Sequence, residues 1–594
     1  MGFKSAVMAR IPAPLAARLR RARGKTAARR RPTSAPRKAA PQTSSPSDRK
    51  KAARAKKLAD IARCAAAPVK PRTIFYESFG GNGALCNPRS MFEHLVADPA
   101  FHDYEHVWVL QSGPEHDGFR KRCESLPNLV FVRRGTVEYF HRLLTAQYVI
   151  SNSAFPLEYS KPAGQVYVNT WHGIPLKTMG YDLPGGAVGT RNVVRTFLAA
   201  DYLLSSGPSM TQTMYRDAFQ LGGLYQGTVI ETGLPRMAGQ AAVDPYSVRR
   251  SLRNRGLRVR EGRSLVLFAP TWRGESTNKP ENDVGSLRSV VHSLRESLGE
   301  GCDVLLKVHQ FVYKQGIDDP ELADALVPND VNTNELLAAV DVLITDYSSV
   351  FFDYLAEDRP LVFYVPDSAE YQDGRGLYYS LDSLPGECSD CEDELLAAVQ
   401  RAVQGTQSAE IVARRRDWAT THVPYSDTAI TQRVVDTVFR EKTADTRLVT
   451  LRDPERKRIL VRSRSLKDPT VGRDVINVVR QSHLEDCDIT LSFPPSKDEI
   501  ALQTMQSLED HCRLLPTAGA RVVTSEEADL IERARQLGRR SDGPNYEHSL
   551  TAMEQLRLDA ALTRDWRRLF GDVDFDAVID LRNEPMPQIA RVMP

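Results

Sequence analysis

The sequence lacks long apolar runs: no stretch among its 594 residues approaches the roughly 20 apolar residues that a membrane-spanning helix needs. No apolar segment of signal-peptide length follows the basic N-terminus, so export is not expected. Cysteine is sparse, and the eight scattered residues argue against a disulfide scaffold. Cys388 and Cys391 form a lone CxxC pair, which is more typical of a surface loop than of a zinc or redox site. These absences predict a cytoplasmic chain with reduced thiols, in which any membrane contact is peripheral.

The common motifs of metal and cofactor chemistry are missing too. No group of His, Cys, Asp and Glu has the spacing of a metal site, and the pair Asp572 and Asp574 stands alone. The glycines of Tyr76-Glu-Ser-Phe-Gly-Gly-Asn-Gly83 lack the GxGxxG spacing of a dinucleotide fingerprint, so they form either an acceptor-side loop or an ordinary turn. Gly24 and Lys25 lack the remaining residues of a P-loop. We therefore predict that the protein uses neither a metal nor a cofactor and does not hydrolyse ATP.

Positive charge is concentrated at the N-terminus. Residues 1–60 contain 18 Lys and Arg against two Asp, although the whole chain carries a formal net charge of only +4. Residues 1–68 also have almost no aromatic side chains and cannot bury enough apolar surface to become ordered, so we predict a disordered basic tail. Segments at about 14–25 and 49–64 could instead form a basic helix on an anionic membrane, where each basic residue contributes about 1 kcal/mol. A nucleic-acid-binding tail and a plain solubilising tail are the alternatives.

From Thr73 onward, short apolar runs alternate with helical periodicity, which is typical of parallel α/β domains. The predicted strands of a first series are Thr73–Ser78, His106–Leu110, Leu129–Val132, Tyr148–Ser151 and Val166–Thr170. Those of a second series are Val229–Glu231, Leu265–Ala269, Val304–Val308, Val342–Thr345 and Leu361–Tyr364. The two series predict α/β domains over 69–225 and 226–442, with ligands bound beyond the carboxyl ends of the strands.

A third α/β-like run covers residues 457–594, after a charged stretch at Glu441–Lys457. Its predicted strands are Arg458–Val461, Ile489–Phe493 and Ala577–Leu581. A complete domain should not end so soon after a single strand, so we predict a partial third α/β domain.

A polar cluster with one histidine follows the predicted strand Val166–Thr170. A histidine at a strand's carboxyl end can remove a proton from an attacking hydroxyl, because its pKa lies near the operating pH; here this is His172. Gly173 allows the backbone to approach a ligand closely, and Lys177 can offer positive charge to a phosphate. A histidine whose hydrogen bonds are satisfied within the core is the alternative.

Two motifs of the second series point to phosphate. Lys307 and His309 end a strand on the same face, and cationic or hydrogen-donating groups suit a transferring phosphoryl group. Asp346 leads into Ser348 and Ser349 at the start of a predicted helix, where free N–H groups and hydroxyls can hold an anion. An exposed strand end and ordinary serine caps are the alternatives.

Together, the motifs over residues of about 73–440 resemble those of the CDP-glycerol:poly(glycerophosphate) glycerophosphotransferase family. The matching elements are Asn87-Pro88, Ser151-Asn152-Ser153, Asn169-Thr-Trp-His-Gly-Ile-Pro-Leu-Lys177, Thr232-Gly-Leu-Pro-Arg236, Ala269-Pro-Thr-Trp-Arg273, Lys307-Val-His309, Thr345-Asp-Tyr-Ser-Ser-Val-Phe-Phe-Asp353 and Arg375-Gly-Leu-Tyr378. The resemblance implies a GT-B architecture, in which two Rossmann-like domains face a cleft. It also implies inverting transfer without a required metal.

The resemblance also implies roles for single residues. In the family, the His of the Trp-His-Gly motif is the catalytic base and the later His binds the donor diphosphate, which places these roles on His172 and His309. The serines of the Asp-Tyr-Ser-Ser motif contact phosphate, here Ser348 and Ser349. The family usually has Pro after the second His, and many members have an Arg nearby, whereas Gln310 stands here.

Because of this departure, Lys307 is expected to supply the missing charge to the donor phosphate. Asp346, which opens the serine motif, is placed in the same donor-phosphate set. Arg273 follows the predicted strand Leu265–Ala269 and can meet phosphate or acceptor, or be structural. The further cleft candidates are Gly173, Lys177, Arg273 and Arg375.

The implied reaction transfers glycerol phosphate from CDP-glycerol to a hydroxyl of a lipid-linked or polymer acceptor of the teichoic-acid or capsular type, releasing CMP. We expect it at the inner face of the cell membrane, with residues 1–60 on the anionic surface and no nucleic acid as partner. A CDP-ribitol phosphotransferase, a nucleotide-sugar glycosyltransferase and a non-catalytic envelope-assembly scaffold are the alternatives. The region after about residue 457 weakly resembles the opening of a second such enzyme and is predicted to have no activity of its own.

Overall fold

The computed structural model describes residues 46–271, 284–368, 376–481, 486–540, 550–582 and 584–588. The predictions for residues 1–45, for Arg273 and for Arg375 therefore lie outside the described residues. The chain divides after Ala53 into two compact units. Among the described residues, no helix combines the length and the apolar character needed to cross a bilayer.

The strands are β1 Lys70–Glu77, β2 Glu105–Val109, β3 Leu129–Val132, β4 Ala146–Ser151, β5 Val166–Asn169, β6 Tyr202–Ser205, β7 Thr228–Glu231, β8 Ser264–Ala269, β9 Cys302–Leu306, β10 Val342–Thr345, β11 Leu361–Tyr364, β12 Glu387–Ser389, β13 Arg447–Thr450, β14 Arg458–Arg462, β15 Asp488–Phe493, β16 Arg513–Pro516 and β17 Ala577–Asp580.

The helices are Pro46–Ala65, Cys86–Ala97, Asp117–Arg122, Val137–Thr145, Gly186–Leu198, Pro208–Met210, Pro235–Ala242, Pro245–Asn254, Val284–Leu298, Gln310–Gly316, Thr333–Ala339, Val350–Tyr354, Glu392–Gln404, Ala409–His422, Ile430–Arg440, Pro469–Val479, Glu499–Gln506, Ser525–Arg540 and Ala552–Phe570. The helix Pro208–Met210 continues as the π-helix Thr211–Ala218, and Gly180–Asp182 is a 3-10 turn.

The helix Pro46–Ala65 confirms the basic helix predicted at about 49–64. Its second half carries apolar side chains one turn apart, and Ile61 and Cys64 are buried in the core of the first sheet. Periodic burial of this kind orders a helix that would otherwise be too polar to persist. The ordered chain therefore begins before residue 68, where the sequence had placed the end of a disordered tail.

The first sheet has the strand order β13-β7-β6-β5-β4-β1-β2-β3, and its neighbours are parallel except for the antiparallel pair β13 and β7. The sequence did not predict β6, and it placed Val229–Glu231 at the start of the second series. This placement is wrong, because β7 pairs with β6, with Leu204 opposite Ile230. The sequence pattern of a short apolar strand such as β7 is the same in either sheet. Its place in the first sheet is decided by the helical connection through residues 208–218, which returns the chain from β6 to lie parallel beside it.

The second sheet is parallel and has the order β12-β11-β10-β8-β9. With the first sheet, it confirms the prediction of two parallel α/β domains. Thr345 lies opposite Ala269, so the segments after β10 and β8 adjoin at the carboxyl edge of this sheet. In the first sheet Ser151 lies opposite Asn169, which brings the ends of β4 and β5 together in the same way.

A third sheet, parallel throughout, has the order β16-β15-β14-β17. Counted along the chain this is 3-2-1-4, the same order in which β3, β2, β1 and β4 lie in the first sheet. The sequence did not predict β16. The repeated order supports the resemblance of this region to the opening of a second N-terminal domain.

Candidate active site

The loop after β5 holds His172 in a fixed position. The side-chain oxygen of Asn169 accepts a hydrogen bond from the backbone N–H of Trp171 at 2.9 Å, and the Asn87 amide donates to the carbonyls of Thr170 and Trp171 at 3.2 and 3.0 Å. These bonds stabilise Trp171 at a φ of 45°, which is unusual for a bulky residue. Such strain persists where the surroundings hold the backbone, and it is common at functional sites.

The hydrogen bond of His172 determines its neutral tautomer. Nδ1 lies 2.7 Å from the carbonyl oxygen of Asn152, in the loop after β4. A carbonyl can only accept, so Nδ1 carries the hydrogen and the lone pair of the neutral ring is on Nε2. His172 therefore has the form that a general base requires.

The surroundings of His172 favour its neutral form. The residue keeps an exposed side, while the rings of Phe79 and Trp171 lie with their centroids 5.5 and 4.5 Å from the imidazole. Crowding by protein atoms lowers the pKa of His172, the bond to Asn152 opposes this shift, and the charge of Arg236 lowers the pKa further. Phe79 belongs to the glycine-containing loop after β1, which therefore borders the candidate base.

We expect the pH dependence of the reaction to follow this pKa. Burial also lowers the pKa of His309, so both imidazoles titrate below 6.5. Protonated His172 cannot accept a proton, and activity is therefore lost as the pH falls through the lowered pKa. A profile of kcat/KM between about pH 5 and 9 should show a plateau near neutrality and an acid limb below 6.5. An acid limb above 6.5 would contradict this assignment.

The loop after β5 meets the serine motif of the second domain. A Cβ atom placed on buried Gly173 would lie 3.0 Å from Oγ of Ser349 and 3.8 Å from its Cβ. A side chain at this position would make an unusually tight contact, and Ser349 would have to shift by a few tenths of an ångström to accept it. Ser348 lies beside it at the start of the helix Val350–Tyr354, with its Oγ 3.5 Å from the backbone nitrogen of Val350. Two motifs far apart in sequence thus lie side by side, at a place that we call the crevice.

Asp346 holds the loop after β8. Its carboxylate accepts from the backbone N–H of Thr271, at 2.9 Å to each oxygen, and from the Thr271 hydroxyl at 2.5 Å. The side chain is buried. Asp346 thus holds the backbone at Thr271, directly after β8, and its predicted contact with donor phosphate stays a prediction.

Lys307 and His309 follow β9 at the carboxyl edge of the second sheet. The Lys307 ammonium donates to the carbonyls of Pro328 and Val331 at 2.8 and 3.2 Å. Burial lowers the pKa of Lys307 to about 8, against the opposing charge of Asp330. The lysine thus ties down a neighbouring loop, and its contact with donor phosphate stays a prediction, as does that of His309.

A buried ion pair links the two halves of the site, and sequence reasoning had given its members no role. The Arg236 guanidinium donates to both carboxylate oxygens of Asp353, at 2.7 and 2.8 Å. The backbone N–H of Arg236 donates to Asn87, the residue that holds the loop before His172. Asn334 also donates to Asp353 at 3.1 Å. Arg236 and Asp353 belong to the motifs of the family resemblance, which was the available signal.

Residues 176–182, which we call the cross-domain segment, join the first domain to residues 376–378 of the second. The Thr178 N–H donates to the Gly376 carbonyl at 3.2 Å, and the Tyr378 N–H donates to the Leu176 carbonyl at 2.9 Å. Lys177 forms a backbone bridge with Leu377. Its predicted contact with phosphate stays a prediction.

Several known enzymes of teichoic acid synthesis are similar to this chain in sequence. The teichoic acid poly(glycerol phosphate) polymerase of Bacillus spizizenii is 30% identical over 361 residues, which are 58% of this chain and 87% of the relative. The polymerase of the same name from Bacillus subtilis is 31% identical over 349 residues, 56% of this chain but 44% of the relative. The teichoic acid glycerol-phosphate transferase of Staphylococcus aureus is 26% identical over 383 residues, 62% of this chain and 92% of that protein.

A solved structure of the wall teichoic acid polymerase TagF superposes with a TM-score of 0.55 at 25% identity, over 66% of this chain and 95% of that chain. The likeness confirms the predicted GT-B-type fold. A family model described as CDP-Glycerol:Poly(glycerophosphate) glycerophosphotransferase matches residues 61–440. The chain therefore belongs to the CDP-glycerol:poly(glycerophosphate) glycerophosphotransferase family.

Proposed function

We propose that the protein transfers glycerol phosphate from CDP-glycerol to a hydroxyl of a teichoic-acid-like cell-envelope polymer, with CMP as the second product. The approach of Gly173 to Ser349 is the observation that carries this proposal, because Gly173 directly follows the candidate base in the chain and lies beside the serine motif. The relatives named above carry out glycerol-phosphate polymerisation or transfer according to their names, which supports the same chemistry here.

In the proposed reaction, Nε2 of His172 takes the proton of the acceptor hydroxyl. The acceptor oxygen forms a bond to the β-phosphorus of CDP-glycerol, and the bond from that phosphorus to the bridging oxygen breaks. CMP leaves with the bridging oxygen. The hydroxyls of Ser348 and Ser349 and the imidazole of His309 are proposed to hold the diphosphate, where donors placed for the developing charge contribute most to catalysis.

The membrane is part of the proposal as the place where a lipid-linked acceptor is found. The helix Pro46–Ala65 supports peripheral contact with an anionic surface, because the side chains of Lys50, Lys51 and Arg54 are exposed on it. Sedimentation of the full chain with anionic and with neutral lipid vesicles tests this contact. Equal sedimentation with both would contradict it.

The reaction is tested by product analysis with the purified full chain. A lipid-linked glycerol-phosphate acceptor is incubated in parallel with CDP-glycerol, CDP-ribitol or a UDP-sugar, and the products are weighed by mass spectrometry. We expect release of CMP and mass increments of one glycerol phosphate with CDP-glycerol. If only CDP-ribitol or only the UDP-sugar is turned over, CDP-glycerol is not the donor. If no donor is turned over, the result favours a non-catalytic scaffold.

A further inference from the structure

Residues 457–594, which we call the C-terminal region, lie beyond the residues that the family model matches. The described part of this region packs tightly on the first domain. Arg195 of the first domain is buried and donates to the carbonyl of Arg568 at 3.2 Å and to that of Tyr159 at 2.8 Å. In the opposite direction, Arg513 donates to the carbonyls of Gln220 and Gly222, each at 2.7 Å.

An ion pair and a close backbone approach complete this interface. Lys161 of the first domain is buried and pairs with Asp572 at 2.6 Å. At Gly571, a Cβ would lie 2.0 Å from the carbonyl oxygen of Leu198, so the backbones approach more closely than any side chain would permit. Hydrogen bonds from buried cationic side chains across a boundary hold two regions in one orientation. The C-terminal region is thus a fixed part of the first domain's surface.

One contact of this interface reaches the cross-domain segment. The hydroxyl of Tyr181 donates to the carbonyl of Leu514, in β16, at 2.7 Å. The Tyr181 ring and Ala187 also pack against the apolar core of the C-terminal region. On its other side, the segment is held by the second domain, because the Tyr378 hydroxyl donates to Asp182 at 2.6 Å. Neighbouring residues of one short segment are therefore bonded to two different parts of the protein.

We propose that the C-terminal region positions the cross-domain segment, with Tyr181 as the positioning residue. The segment begins four residues after His172 in the chain and carries the backbone bonds of Thr178 and Leu176 to the second domain. Anchoring it from the C-terminal region fixes the acceptor side of the crevice against the donor side. The expected effect on turnover rests on the proposed function. The expected effect on the backbone hydrogen bonds of the cross-domain segment does not.

The first test is hydrogen–deuterium exchange of the full chain carrying Tyr181→Phe. Peptides that cover Thr178 and Tyr378 should exchange about three- to tenfold faster than in the wild type, the effect of losing one ordinary hydrogen bond. Tyr215→Phe is the matched control, because it removes a hydroxyl bond of the same length, 2.7 Å, to the carbonyl of Leu204. The control should leave exchange of these two peptides unchanged. Wild-type exchange in Tyr181→Phe would overturn the proposal.

The second test is a kinetic double-mutant cycle of Tyr181→Phe and Tyr378→Phe. Each variant should raise the KM for CDP-glycerol about three- to tenfold with little change in kcat. The cross-domain segment loses one of its hydrogen bonds, so the two domains are positioned less firmly for donor binding, while His172 is unchanged. Since both side chains hold the same segment, the KM of the double variant should rise by a factor smaller than the product of the two single factors. Independent effects, or a fall in kcat alone, would contradict the proposal. If the wild-type protein turns over no donor, the proposed function fails. The hydrogen–deuterium exchange of Tyr181→Phe then still shows whether Tyr181 positions the cross-domain segment.

Discussion

Replacement of His172 by Asn is expected to lower kcat for CMP release by about 10²–10⁴-fold, the usual contribution of a general base. The side-chain amide of Asn can still donate to the Asn152 carbonyl that Nδ1 contacts now. It has no lone pair of comparable basicity in place of Nε2. The loop geometry should therefore be kept, and only the proton acceptor is lost. Steady-state kinetics with CDP-glycerol and a lipid-linked acceptor measure the effect.

Donor binding provides the control for this variant. Calorimetric titration of His172→Asn with CDP-glycerol should give an affinity close to that of the wild type, because the proposed diphosphate contacts belong to the second domain. Thermal unfolding should also be close to that of the wild type. Turnover within a few-fold of the wild type would show that His172 is not the base. In that case a base elsewhere in the crevice would have to be considered.

Asp353→Asn is expected to lower the free energy of unfolding by about 3–5 kcal/mol, as is typical when one partner of a buried ion pair is removed. The guanidinium of Arg236 would stay buried and charged without its carboxylate. The Asn amide would also present a donor where Arg236 and Asn334 both donate now. Urea unfolding of the full chain, monitored by circular dichroism, measures the loss.

The same variant should impair catalysis, because the pair is connected to the loop before His172 through Asn87. Glu261→Gln is a matched acid-to-amide control: Glu261 pairs with Arg253 at the surface, where its side chain is 87% exposed. Exposed pairs contribute about 0–1 kcal/mol, so this control should change stability little. Equal effects of the two substitutions on unfolding would show that burial of the Arg236 pair has no special importance.

Local patterns in the sequence predicted most of the strands that lead to the crevice and the polar residues that follow them. The runs at β4, β5, β8 and β10 were recognised because buried parallel strands are short, continuous and apolar. The polar residues after them, including His172 and Ser349, stood out because ligands of such sheets bind at the carboxyl ends of strands. The strands that were missed include β12 and β13, which lie at sheet edges, where one side stays unpaired and polar residues are tolerated.

The amino-acid sequence by itself determined that the chain forms two α/β domains and singled out a candidate base, because the strand runs and the polar loop with His172 are patterns of residues that are close in the chain. Tertiary structure alone decided partners: that β7 pairs with β6, that Lys307 bonds to carbonyls, that Asp353 meets Arg236 and that Tyr181 reaches Leu514. Each of these contacts joins residues whose separation is set by strand order and packing. A local pattern does not contain that order, since the same apolar strand or charged side chain fits several neighbours equally well.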